Sequence, residues 1–346
     1  MQKEAESRDT LGSLQIATFQ KMQVPSTLKQ TAAVTSVAVL LWFFVIFYVV
    51  SLLYAVFLSE SYVPLALHTG YYAWTRLQAT ETQGGRPWPA FRHSEFWRYF
   101  REYFPIEVRL KSGEFPEKHG NFLFGYHPHG LSSVGAMGAF GPQHADVAKM
   151  LGGLEVAGCT LESNFRIPVV REFLLAMGAI SVSERSIKTA LNAGRAVMVV
   201  LGGANEALYA KPLTHDVVIR RRFGFFRIAL ETGSAVVPVY SFGENDVYDQ
   251  VDTGFTRRVN GFFVKYFGFF IPLYFGGIQT PLNPVPKRRV IITVIGDPIE
   301  VERNPQPSAE EVERLKQKYI AGLVDIFDKF ADLYSPRRIN NLTIVE

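Results

Sequence analysis

The sequence predicts an α/β fold, a sheet flanked by helices, with a membrane-embedded helical hairpin ahead of it. Three observations carry that reading. Short apolar runs rich in Val, Ile and aromatic residues alternate with segments of helical period along most of the chain, the pattern of an α/β sheet. Gln30 to Ser59 is a run of thirty residues without a charge. Ser308, followed by Glu311 and by an apolar series at helical spacing, opens a long amphipathic helix.

In chain order, residues 1–29 form a polar tail in which Lys3, Arg8, Lys21 and Lys29 stand against Glu4, Glu6 and Asp9. Residues 30–75 form the membrane-embedded segment. Ala32 to Leu58, at ~1.5 Å per helical residue, makes about 40 Å of helix against roughly 30 Å of hydrocarbon. A cleaved signal peptide has a far shorter apolar core. Ser61 to Thr75 is also uncharged, contains Pro64 and Gly70, and ends on the interfacial residues Tyr71, Tyr72 and Trp74. It reads as the returning arm of a hairpin, with a single tilted span as the alternative.

Residues 76–346 form the α/β domain, which begins around the loop Gly84-Gly85-Arg86-Pro87. Strands are expected at Asn121 to Tyr126, Ala179 to Val182, Ala196 to Leu201, Ala235 to Tyr240 and Val290 to Ile295. Helices are expected at Val169 to Met177, Ile187 to Ala193 and Phe225 to Glu231. In the last helix Val312, Leu315, Tyr319, Leu323, Ile326, Phe327 and Phe330 recur on one face. Phe262 to Ile278 is aromatic, carries only Lys265, and is broken by Gly268 and Pro272. That break excludes a spanning helix and leaves a buried loop and strand or a lipid-facing surface, the latter favoured beside a membrane anchor.

Thirty-six Lys and Arg against 32 Asp and Glu leave a net charge of +4, too mild and dispersed to argue for nucleic acid and compatible with anionic lipid or a phosphorylated substrate. The one cysteine, Cys159, excludes an internal disulfide framework and any multi-cysteine zinc site.

Chemistry is expected beyond the C-terminal ends of the strands. One such end runs Phe122-Leu-Phe-Gly-Tyr126 into His127-Pro128-His129-Gly130. In extended backbone His127 and His129 face one side, and either neutral imidazole can serve as a general base near pH 7. Zinc ligation lacks a nearby Asp and third His, and the Gly130-Leu-Ser132-Ser-Val134 stretch fails the nucleophile-elbow pattern at its last position. Two hydrogen-bonded core histidines are the remaining alternative. The second strand end runs Ala196-Val-Met-Val-Val-Leu201 into Gly202-Gly203-Ala-Asn205-Glu206. The glycines offer a tight turn with backbone donors, and Glu206 is placed either to charge-stabilise a neighbouring histidine or to complement a helix dipole.

These blocks carry a resemblance. Tyr103-Phe104-Pro105, FGYHPHG, Asn164-Phe-Arg-Ile-Pro168 with Arg171-Glu172, LGGANEAL, Arg222-Phe-Gly-Phe with Ala229-Leu230, Val237-Pro-Val-Tyr-Ser-Phe-Gly-Glu244 and Gly296-Asp-Pro-Ile299 follow in order. Together they resemble the diacylglycerol O-acyltransferase 2 family, which includes monoacylglycerol and wax-ester acyltransferases. The resemblance implies a glycerolipid-acyltransferase-like sheet. It also implies an endoplasmic reticulum membrane enzyme, its catalytic domain facing the cytosol or placed on lipid droplets, that moves a fatty acyl group from acyl-CoA to diacylglycerol. It implies no metal and no cofactor beyond acyl-CoA as co-substrate, and it leaves homo-oligomerisation open. The wider glycerolipid acyltransferases use a His-x4-Asp dyad, but Ser132 and Val134 occupy the Asp position after His127 and after His129. A carboxylate must come from elsewhere, Glu206 first and Glu244 second. Family members commonly place a basic residue after the serine that here is Ser183, whereas this chain has Glu184 and then Arg185.

The expected chemistry is one step. His129, or His127, takes the acceptor proton as its oxygen attacks the thioester, Glu206 stabilises the imidazolium, and backbone donors at Gly130, Gly202 and Gly203 hold the oxyanion. Asn205 and Glu244 complete the substrate-binding set, and Arg220, Arg221 and Arg222 are the candidate cations for the phosphates of CoA. An acyl-enzyme on Ser132 or Cys159 has no base at fixed spacing. A lipid esterase and a non-catalytic droplet coat protein are the other function classes.

Overall fold

The computed structural model describes residues 26–116, 121–142, 146–267, 274–277, 283 and 285–345. The polar tail lies almost wholly outside the described residues, as do residues 268–273 and 278 of the aromatic segment.

Thr27 starts the first helix, α1 (Leu28–Phe57), by a reciprocal cap: its hydroxyl accepts the Gln30 N–H at 3.3 Å and the Gln30 side chain accepts the Thr27 N–H at 3.0 Å. The helix is long and apolar enough to cross a membrane. Its two halves differ. Ala33, Val34 and Val37 are buried against Trp97, Phe100 and Tyr103, whereas Phe47, Val50, Leu53 and Phe57 stand exposed. After a turn at 58–62, α2 (Val63–Gln78) packs back on α1, with the Tyr48 and His68 rings 5.2 Å apart. The foot of α2 meets the body through Trp74, whose ring lies 5.3 Å from the buried Arg171 guanidinium, and through Arg76, 3.0 Å from Glu162.

Beyond α3 (Glu95–Tyr103) the body is built on a seven-stranded sheet. Its strands are β1 (Ile106–Leu110), β2 (Phe122–His127), β3 (Val156–Thr160), β4 (Ile180–Ser181), β5 (Ala196–Val200), β6 (Ala235–Phe242) and β7 (Ile291–Ile295). The spatial order is β1-β7-β6-β2-β5-β3-β4, parallel except between β7 and β6. All five expected strands are present, and β1 and β3 are additional. Helices α4 (Val134–Phe140), α5 (Val170–Ala176), α6 (Glu184–Asn192), α7 (Gly203–Ala207), α8 (Phe223–Thr232), α9 (Gly254–Phe267) and α10 (Ala309–Tyr334) complete the frame used below.

The period of two along β2 assigns its faces. Phe122, Phe124 and Tyr126 pack with Ala136, Ala139 and Phe140 of α4 on one face. Leu123 joins α8 and α10 on the other, where Tyr319 donates its hydroxyl to the Gly125 carbonyl at 2.9 Å. The capping box at Ser308 forms as expected, and all seven periodic residues of α10 are buried on the sheet, each contributing about 1.5–3 kcal/mol. His127, two residues beyond Gly125, therefore faces the α10 side. Tyr126 faces the α4 side.

Candidate active site

β2 and β5 are parallel neighbours with Tyr126 opposite Val200. Their C-terminal extensions, His127 to Gly130 and Leu201 to Glu206, therefore leave the sheet side by side, as the sequence predicts. Gly130 at φ +60° turns the chain sharply, and the His127–Pro128 peptide is cis. The strand ends at His127, so the extended geometry that would send both imidazoles to one side does not continue to His129, and the two rings have different surroundings.

His127 is fully buried, and its Nδ1 lies 2.9 Å from Glu206 Oε2. A carboxylate only accepts, so Nδ1 carries the proton. Nε2 of His127 is buried without a hydrogen bond, the ring centroid 6.1 Å from that of Tyr319. The ring of His129 does not share this carboxylate, so of the two histidines offered by the sequence it is His127 whose ring Glu206 holds. What His129 gives Glu206 is its backbone: the N–H donates to Oε1 at 2.6 Å. The Val218 N–H donates to Oε2 at 2.8 Å. Glu206 is thus a buried staple that accepts from three donors on two loops, the histidine turn and the segment after His215.

His129 is partly exposed and its Nδ1 lies 3.0 Å from the Gly130 carbonyl. That carbonyl can only accept, so the proton sits on Nδ1 and the lone pair on Nε2, the tautomer a base needs. Burial holds the His129 pKa below the ordinary 6.5, Arg222 pushes it down further, and the Gly130 carbonyl and Glu206 act in the opposite sense. The ring is therefore neutral at pH 7.

A second acidic side chain grips the same turn from the other face of the sheet. Glu244 is completely buried, and its Oε2 accepts from the Tyr126 hydroxyl at 2.9 Å and from the Gly135 N–H at 2.8 Å. Burial pushes its pKa up to about 8. Glu244 lies beneath the Gly130 turn and supports it. Tyr126 and Gly135 were not singled out in the sequence, although the alternation along β2 aims Tyr126 at that face.

The glycine pair divides in two. A Cβ on Gly202 would collide with the Glu206 side chain, so this glycine is the space into which the carboxylate folds. Gly203 and Asn205 remain partly exposed beside the turn. The arginine run divides as well. Arg222 turns inward and donates to the Gly202 carbonyl, whereas Arg220 and Arg221 are exposed. If Arg220 and Arg221 meet the phosphates of CoA, as expected from the sequence, replacing both by Gln should raise KM for acyl-CoA about tenfold, ~1.4 kcal/mol, with the acceptor KM unchanged. Initial rates with each substrate varied in turn check this, and equal shifts in both KM values would remove these side chains from CoA recognition. At the departure noted above, Ser183 caps α6 and Glu184 pairs with Lys188, while Arg185 is exposed.

Neither proposed nucleophile is activated. Ser132 Oγ is buried without a hydrogen bond, and burial pushes the Cys159 thiol far up. A further histidine that the sequence reading passed over, His215, bonds Tyr240 at 2.7 Å and Ser335 at 3.0 Å. Burial lowers its pKa to about 4, so it is a neutral link between the sheet and the end of α10.

A neutral imidazole at the carboxyl edge of a mostly parallel sheet, on a turn held by buried acidic side chains from both faces, is an arrangement suited to acid–base chemistry in an α/β protein. A family model described as diacylglycerol acyltransferase matches residues 42–344. A diacylglycerol O-acyltransferase 2 from Dictyostelium discoideum is 39% identical over 268 residues, 75% of this chain and 81% of the relative. A 2-acylglycerol O-acyltransferase 1 from Mus musculus is 36% identical over 272 residues, 76% and 79% of the two chains. The chain belongs to the diacylglycerol acyltransferase family. Among solved structures, the 1-acyl-sn-glycerophosphate acyltransferase of Thermotoga maritima aligns with a TM-score of 0.42 at 14% identity, over 87% of this chain and 95% of that one.

Proposed function

We propose that this protein is a membrane-bound acyl-CoA:diacylglycerol O-acyltransferase that forms triacylglycerol. The observation that carries the reading is the family match over residues 42–344, on a chain whose histidine turn presents a neutral Nε2 lone pair. In the proposed step His129 Nε2 removes the proton of the acceptor hydroxyl as its oxygen attacks the thioester carbonyl. The tetrahedral oxyanion is held by backbone donors of the Gly130, Gly202 and Gly203 turns, with Asn205 beside them. Collapse breaks the carbon–sulfur bond, and the CoA thiolate takes the proton back from the imidazolium. The negative charge of Glu206 favours that imidazolium, and Arg222 opposes it. Arg220 and Arg221 take the phosphates of CoA.

The body is held at the endoplasmic reticulum membrane or a lipid-droplet surface by the hairpin of α1 and α2, with the catalytic domain on the cytosolic side. The exposed apolar half of α1 supports this, because such a surface is unfavourable in water and at home in lipid. The α/β domain of residues 76–346 then begins in the last turn of α2.

Relatives named for diacylglycerol and for 2-acylglycerol transfer stand at comparable identity, so the acceptor is settled by assay. Purified enzyme in vesicles receives radiolabelled oleoyl-CoA with diacylglycerol, monoacylglycerol, a long-chain alcohol or no acceptor. Diacylglycerol should give the highest rate, with labelled triacylglycerol as product. Preferential esterification of another acceptor would reassign the substrate, free fatty acid without acceptor would indicate an esterase, and no turnover would leave a coat protein.

A further inference from the structure

Helix α9 (Gly254–Phe267) turns an aromatic stripe away from the body. Its residues Phe255, Val259, Phe262 and Tyr266 fall at i, i+4, i+7 and i+11, one stripe along the helix. That stripe faces outward: Phe255 is 76% exposed, Phe262 53% and Tyr266 62%. The side turned to the protein buries two polar residues, Thr256 at 8% exposed and Asn260 at 3%, beside the half-buried Phe263 and Val264. Thr256 is fixed there by a reciprocal bond pair with Thr253, at 2.8 and 3.2 Å. Burying threonine and asparagine while offering phenylalanine to solvent is a poor solution in water. Against lipid it is the right one.

The surrounding charge and the helix length narrow the partner. Arg258 and Lys265 are exposed beside the stripe, at −60° and −80° on a helical wheel centred on it. At ~1.5 Å per residue the 14 residues make about 21 Å of helix, too short to cross roughly 30 Å of hydrocarbon. α9 also springs from the right place. It is inserted in a two-stranded ribbon, Asp249–Gln250 paired with Tyr274–Phe275, whose Tyr274 and the adjoining Tyr248 share one apolar cluster with Ala33, Val34 and Val37 at the root of α1. Gly277, just past that ribbon, lines a cavity with Lys287, Arg288 and Arg289.

We propose that α9 lies flat in the interfacial layer of a lipid bilayer, its aromatic stripe at the acyl boundary and Arg258 and Lys265 at headgroup phosphates. This gives the α/β body a membrane contact separate from the α1 and α2 helices. The contact is independent of the reaction and would fix which side of the body meets the membrane surface.

The test uses the full chain with Cys159→Ser, carrying a single Cys labelled with an environment-sensitive fluorophore at Phe262, at Val50 of α1 or at exposed Glu310. Each protein is reconstituted in vesicles of phosphatidylcholine and phosphatidylserine at 7:3. Doxyl-labelled lipid should quench the Phe262 and Val50 probes at least twofold while iodide leaves them bright, and the Glu310 probe should show the reverse. Quenching at Val50 with a Phe262 probe that behaves like the Glu310 probe would overturn the α9 contact and leave the hairpin standing. Loss at both positions would remove the hairpin too. A Phe262 probe shielded from iodide and doxyl lipid alike would mean that protein covers this face, which also overturns the proposal. Omitting phosphatidylserine should weaken quenching at Phe262, and Arg258→Gln with Lys265→Gln should abolish that dependence. An unchanged dependence would overturn the headgroup assignment of the two cations.

Discussion

His129→Ala is expected to lower kcat by roughly 10²- to 10⁴-fold, the range of a lost general base. Stability should hardly change, because the ring is partly exposed and its hydrogen bond is to the neighbouring Gly130 carbonyl. His127→Ala is the informative comparison. It empties a fully buried site and removes one of the three donors to Glu206, so it should lower the unfolding temperature as well as activity. The measurement is kcat for each variant beside its thermal unfolding, in protein shown to reach the membrane. A folded His127→Ala without activity, next to an active His129→Ala, would exchange the two roles. The pH profile is a second readout. A base with a lowered pKa stays unprotonated as pH falls past 6.5, so the acid limb of kcat/KM should lie below that value. Arg222→Gln removes a contribution that depresses the pKa and should move the limb upward. A limb above 6.5 in the unmodified enzyme would contradict the assignment.

The parts legible in the sequence are those in which one segment dictates its own structure. α10 carries a cap, a period and a face, and all three are in the structure. The five expected strands are apolar runs with clear bounds. β1 escaped because Glu107 and Arg109 interrupt it, and only the structure shows that they pair with each other at 2.7 Å on an edge strand. β3, Val-Ala-Gly-Cys-Thr, has Gly158 at its centre and few residues of high strand propensity. In the site, the two strand ends could be found from sequence, because each is an apolar run closing on glycine, histidine or carboxylate. Their pairing could not. Which histidine meets Glu206 depends on a turn at Gly130 and on the approach of Val218 from a different loop. The burial of Glu244 depends likewise on Tyr126 facing α4. The outward aromatic stripe of α9 was legible only in outline, since the aromatic run shows in the sequence but the burial of Thr256 and Asn260 is a tertiary fact.

Glu206→Gln should be nearly as damaging as Glu206→Ala, although it preserves shape. Oε1 accepts the His129 N–H, and Oε2 accepts both the His127 Nδ1–H and the Val218 N–H. Only a carboxylate offers acceptors on both sides. A glutamine must turn its NH₂ toward the His129 N–H or toward the Val218 N–H, and in either orientation two buried donors oppose each other. Each donor left unpaired costs about 1–3 kcal/mol, and a shift of the histidine turn by ~1 Å costs on the order of 10²-fold in rate. Gly202→Ala tests the same carboxylate without touching its charge, because the added methyl group would occupy the space of the Glu206 side chain. It should reproduce the kcat loss of Glu206→Gln, and the double variant should fall well short of the product of the two, since both act through one group. Thermal unfolding and kcat of the three proteins decide the matter. Full activity in a folded Gly202→Ala would show that the carboxylate can leave its place without consequence, and multiplicative losses would show that Gly202 serves the reaction in some other way.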